Sequence, residues 1–125
     1  MILALLSFLA APMVIVDERE TMVREAPPHG GAGMSTAWRI SDSAPGRTME
    51  FRKRALDNGA SIGLHVLGHD EVYYVVSGQG DVTSDGSTSR IGPGMAAYLY
   101  AGADVGIAQK GGEPLVLIIA YPVVK

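Results

Sequence analysis

The chain has 125 residues, a length that supports one hydrophobic core and leaves no room for a second, cofactor-binding domain. A formal charge of −3 with 18% charged residues provides no basic footprint for a nucleic-acid backbone or an acidic membrane surface, so nucleic acid is not an expected partner. Cysteine is absent, which removes disulfides, thiolate metal sites and thiol nucleophiles; any bound metal would need imidazole and oxygen ligands.

Residues 1–16, MILALLSFLAAPMVIV, form an apolar run too short for a stable membrane span but suited to the hydrophobic region of a secretory signal. No Lys or Arg precedes it, and Leu9 weakens the small-residue match at a cleavage point after Ala11. Two readings stay open. An export signal would send the chain to a periplasm or beyond the cell; an N-terminal structural segment, with Met13 to Val16 as an edge strand, would suit a cytoplasmic protein. APPHGGAG at 26–33 is a Pro/Gly loop that cannot be helical, and it separates this segment from a main body spanning 34–125. His29 within it is expected to be solvated, unless the loop folds over the site and brings the ring with it.

From there on, short β-branched and aromatic runs alternate with turn residues: STAWRI, TMEFRKRAL, SIGLHVL, EVYYVVS, GDVTS, TSRIG, MAAYLY, VGIAQK and PLVLIIAY. Their spacing is that of an all-β sandwich or barrel, and no window supports an amphipathic helix of more than a turn or two. Asp85-Gly86 predicts a two-residue hairpin turn. FRKR, Phe51 to Arg54, is the single basic cluster; a strand splits it between two faces, and a solvated face is the expectation. Lys53 could also point inward beside Phe51 and Met49. GASIG, Gly59 to Gly63, matches a serine-hydrolase nucleophile pattern, but Ser61 opens a β run instead of a helix and no histidine follows His69, so hydrolysis by Ser61 is rejected.

The chemistry concentrates at Gly63 to Gly80, GLHVLGHDEVYYVVSGQG. Gly59, five residues, His65, then Glu71, six residues and Gly78 resembles the first motif of the cupin family, and Ile91 to Gln109 resembles the second, with Pro93-Gly94 and Ala101-Gly102 at its turns. The resemblance covers about Met49 to Ala120. It implies a cupin-type double-stranded β-helix, a jelly-roll barrel, with a metal held inside by three histidines and a glutamate. Of these only His65 and Glu71 remain: Leu67 and Val105 stand at the other histidine positions, Gln109 at an asparagine position, and Met95 where an aspartate is common. Two ligands are too few for a closed or catalytic site.

His69 is the residue that could restore the count, since two histidines and one carboxylate suit an open site for Fe, Mn, Ni or Zn. In a straight strand four residues span about 13 Å, so convergence with His65 needs a turn, which Gly68 permits. Without metal, His65 could be a neutral ring hydrogen-bonded to Glu71, with Leu67, Val105 and Ile107 extending an apolar lining. Tyr73 shares a strand face with Glu71, as Tyr98 does with Tyr100; Tyr73, Tyr98 and Gln109 are candidate ligand-binding residues.

Three functions remain in play. The first is a barrel that binds a small molecule, a sugar or small organic acid, without a resident cofactor. The second is a divalent-metal-dependent isomerase, lyase or dioxygenase using His65, His69 and Glu71. The third is a metal-free enzyme with Glu71 as catalytic base and His65 as acid. A homodimer is expected, with PLVLIIAYPVV and MVIV as apolar strands covered by a second copy, in line with the resemblance.

Overall fold

The computed structural model describes residues 9–123, and the N-terminal part of the apolar run lies outside them. Ten strands follow one another: β1 Met22–Glu25, β2 Ser35–Trp38, β3 Met49–Leu56, β4 Ser61–Val66, β5 Glu71–Ser77, β6 Gln79–Ser84, β7 Ser87–Ile91, β8 Ala96–Leu99, β9 Asp104–Lys110 and β10 Leu115–Pro122. Short 3-10 turns at Glu18–Glu20 and Ile40–Ser43 are the only helical pieces among the described residues.

All the pairings are antiparallel, in a six-stranded sheet of order β1-β2-β3-β10-β5-β8 and a four-stranded sheet of order β4-β9-β6-β7. One core joins them: Leu56, Tyr73, Val75, Leu117 and Ile119 from the first sheet meet Ile62, Val82, Val105 and Ile107 from the second. Alternation along each strand produces this, because successive side chains point to opposite faces and the inward-pointing sets of both sheets are apolar. The jelly-roll barrel expected from the sequence is the observed fold.

The β6–β7 hairpin turns at Asp85-Gly86 as predicted. Both residues have positive φ, 47° and 81°, which is the conformation a two-residue primed turn requires.

Two N- and C-terminal expectations are corrected. Met13 to Val16 is not a strand; these residues are irregular and mostly exposed, and the edge of the six-stranded sheet is β1 instead. The C-terminal β10 is no edge either, since it pairs with β3 on one side and β5 on the other, so its backbone needs no second copy. Its apolar residues are the filling of a central strand, which sequence alone does not distinguish from an edge.

The Pro/Gly loop at 26–33 is bound to β4. Gly63 donates to the Pro28 carbonyl at 3.3 Å, Ser61 to the Ala32 carbonyl at 3.0 Å, and Ala32 to Ser61 Oγ at 3.0 Å. Glycine is required on both sides of this contact. A Cβ at Gly31 would fall 1.7 Å from the Ser61 carbonyl oxygen, and one at Gly63 would fall 1.9 Å from that of His29. His29 remains an exposed residue, as expected, while backbone-to-backbone packing also brings its ring to the edge of the barrel, the alternative left open by the sequence.

Candidate functional site

Between the sheets lies a cavity of about 250 Å³ whose lining includes His29, Arg52, Arg54, His65, Glu71, Tyr73 and Tyr121. Glu71 begins β5 with its side chain inward, and Tyr73, two residues on, shares that face. Glu71 is 7% exposed, and its Oε2 is buried without a hydrogen-bond partner among the described residues. Burial pushes its carboxyl above the usual range, and the nearby His69 and His65 oppose that shift. Tyr73 is driven up as well, first by burial and then by Glu71, so its phenol stays protonated.

His65 is not bonded to Glu71, contrary to one reading of the sequence. Its Nδ1 lies 2.9 Å from the Gly63 carbonyl oxygen, which only a protonated ring nitrogen can satisfy. In the tautomer this bond selects, the lone pair sits at Nε2. His69, beyond the bend at Gly68, makes the equivalent bond to the Asp70 carbonyl at 3.0 Å and stacks on Tyr121 with 4.7 Å between ring centroids. His29 lies against the other face of His65.

His65, His69 and Glu71 border a common depression, but they do not form a metal-binding set. Among the described residues no three of His, Asp or Glu are placed to hold an ion. At the other ligand positions Leu67 and Val105 are buried in the core, as Ile107 is, and none of the three lines the cavity. The donor set does not fit the metal that the motif implies.

The remaining candidates sit elsewhere. Tyr98 is on the outer face of the sheet, where its hydroxyl donates to Asp70 Oδ2 at 2.7 Å. Gln109 is buried beside the β9–β10 turn: Oε1 accepts from the Gly59 N–H at 2.8 Å, and Nε2 lies 2.9 Å from the Gly111 and 2.7 Å from the Glu113 carbonyl oxygens. Neither lines the cavity.

The sequence reading missed the arginines. Glu50, Arg52, Arg54 and Leu56 form the inner face of β3, so two members of the basic cluster face the barrel interior instead of solvent. Lys53 is corrected too. It does not point inward with Phe51 and Met49, which are exposed; its ammonium lies 4.2 Å above the Trp38 ring centroid and pairs with Glu18.

The cupin domain family matches residues 54–121, more than half of the chain. The chain belongs to the cupin family. Its fold is shared with solved structures of low identity. A protein described as a predicted oxalate decarboxylase from Thermotoga maritima is 23% identical, with 89% of this chain and all of that one covered at a TM-score of 0.78. The polyketide cyclase RemF from Streptomyces resistomycificus is 20% identical over 88% and 80% of the two chains, with a TM-score of 0.73. An RmlC-like cupin from Shewanella frigidimarina is 21% identical over 85% and 87%, with a TM-score of 0.67. Comparison with curated proteins gives no match. At these identities the likeness is one of fold, and a cupin barrel hosts many chemistries.

Proposed function

We propose that this cupin binds a small polar organic molecule, a sugar or small organic acid, in the cavity between its sheets. One observation carries the reading: a buried carboxyl, Glu71, with an unpartnered oxygen in a cavity that also holds the His65 ring. A buried polar atom without a partner is costly, and a ligand hydroxyl donating to it would relieve that cost. Tyr73 and Tyr121 add two phenols to the same lining, and Ile62, Ala37 and Ile119 supply apolar contact.

Differential scanning fluorimetry against sugars and small organic acids tests this. A ligand that raises the melting temperature of the wild type and loses that effect in Glu71→Gln supports the reading; ligands that act equally on both reject it.

A second reading is favoured by the pairing of Glu71 with His65 on one cavity. A buried carboxyl whose pKa is raised and an imidazole on the same cavity are the pair that metal-free acid–base catalysis needs, with Glu71 as base and His65 as acid. Elemental analysis addresses the metal-dependent alternative, since stoichiometric metal lost on His65→Ala would overturn both readings. We also propose a homodimer, through the outer face of the six-stranded sheet, where Phe51, Tyr74, Val76 and Tyr98 are exposed.

A further inference from the structure

Arg52 and Arg54 lie two apart on β3, and both line the cavity that holds Glu71 and His65. Arg54 is 8% exposed. Its Nη1 donates to Ser35 Oγ at 2.8 Å and its Nη2 to Glu25 Oε2 at 3.1 Å, which occupies two of its five N–H donors. Arg52 Nη2 donates to Glu50 Oε2 at 2.6 Å and to Asp42 Oδ1 at 3.0 Å, while its Nε is buried without a partner among the described residues. Arg39 Nε is in the same condition, but Arg39 does not line the cavity.

Charge counting points the same way. Arg39 and Arg54 share the single carboxylate of Glu25, whereas Arg47 and Arg52 are matched by Glu50 and Asp42. The unmatched positive charge therefore belongs to the Arg39–Arg54 cluster, of which Arg54 lines the cavity. Lys53 and Glu18 balance each other separately. Opposite Arg54 in register is Ala37, whose small side chain leaves room in front of the guanidinium.

We propose that Arg52 and Arg54 form an anion subsite, and that the ligand is a carboxylate-bearing molecule whose acid group docks on this wall while a hydroxyl reaches Glu71 and His65. The inference rests on the small-molecule reading above and narrows it to acids. The planar fork of an arginine matches a carboxylate with two parallel hydrogen bonds, which a neutral sugar cannot reproduce.

Isothermal titration calorimetry with size-matched pairs, D-glucuronate against D-glucose and lactate against 1,2-propanediol, tests it. At least one acid of the pairs gives saturable binding where its neutral partner does not, and Arg52→Gln weakens that binding by about tenfold or more. Arg52→Lys, which keeps the charge but loses the fork, gives a smaller loss and serves if the first variant does not fold. Equal affinity for an acid and its neutral partner, or unchanged acid binding in Arg52→Gln, overturns the subsite. A neutral sugar bound through Glu71 would leave the small-molecule reading standing while the acid subsite falls; no binding by any of the four probes would count against both.

Discussion

The imidazole rings of His29 and His65 lie face to face, 3.5 Å between centroids and 7° from parallel. Burial first, then the neighbouring His65 and Arg54, hold His29 below its ordinary value of 6.5. The unfolded chain therefore takes up the His29 proton more readily than the folded one. The resulting contribution to stability is complete above pH 6.5 and is lost as the pH falls from there through the lower folded value. Urea midpoints measured at about pH 7.5 and about pH 5.5 should fall with acidity in the wild type, and by a smaller margin in His29→Asn. Equal slopes would show that the stacked pair does not control the proton.

Glu71 has the opposite sign. Its folded pKa lies above the ordinary 4.5, so its contribution is full below pH 4.5 and is lost as the pH rises through the raised value. Glu71→Gln removes a group that must either be ionised in an apolar cavity or hold a proton, and the variant should be more stable than the wild type at neutral pH, with the gap closing in acid. Ligand binding should suffer in the same variant, the trade expected where a site keeps an unsatisfied group for function. A lower urea midpoint for Glu71→Gln at neutral pH would mean that Glu71 supports the fold.

The barrel was legible in the sequence because β-branched runs, turn residues and the spacing of Gly59, His65, Glu71 and Gly78 all depend on local geometry. His65, Glu71 and Tyr73 were legible as cavity residues for the same reason, since strand alternation fixes their face. The arginines were not, although the same alternation applies to β3. Which face of FRKR turns inward depends on Glu25 and Ser35, which arrive from β1 and β2 to satisfy the buried Arg54. His29 escaped because its position depends on a glycine-to-backbone contact between segments about thirty residues apart, which no periodicity records.

That contact gives a direct test. Gly31→Ala or Gly63→Ala puts a methyl group within 2 Å of a carbonyl oxygen, and neither backbone can yield without undoing the hydrogen bonds from Ser61 and Gly63 to the loop. Each substitution should cost about 1–3 kcal/mol. It should also separate His29 from His65, so the pH slope assigned to His29 should shrink in parallel. Nuclear magnetic resonance titration of the histidine ring protons would show whether His29 returns toward its ordinary value.

Gln109 provides the contrast between a residue that holds the fold and one that serves the cavity. Its amide satisfies the Gly59 N–H and the carbonyls that close the turn into β10. Gln109→Ala would remove the side-chain partner of several backbone groups and leave a void at a buried position, at a cost of about 1 kcal/mol or more. Binding in the cavity should be unchanged once the variant is folded. A loss of ligand affinity without a loss of stability would return Gln109 to the ligand-binding set.

The outer face of the six-stranded sheet remains apolar after the fold is complete. Phe51 on β3, Tyr74 on β5 and Tyr98 on β8 are exposed on the side opposite the core, and Ala120 of β10 lies between Phe51 and Val72 in register. Covering the exposed part of Phe51, 45% of its surface, would contribute about 1 kcal/mol, and a glutamate there would bury a charge against apolar residues. Light scattering of the wild type at micromolar concentration should give twice the chain mass, and Phe51→Glu should weaken the dimer by more than about tenfold. The substitution lies on the face opposite Arg52 and Arg54, so the cavity should keep its ligand affinity. A wild type that scatters as a single chain would leave this face without a second copy.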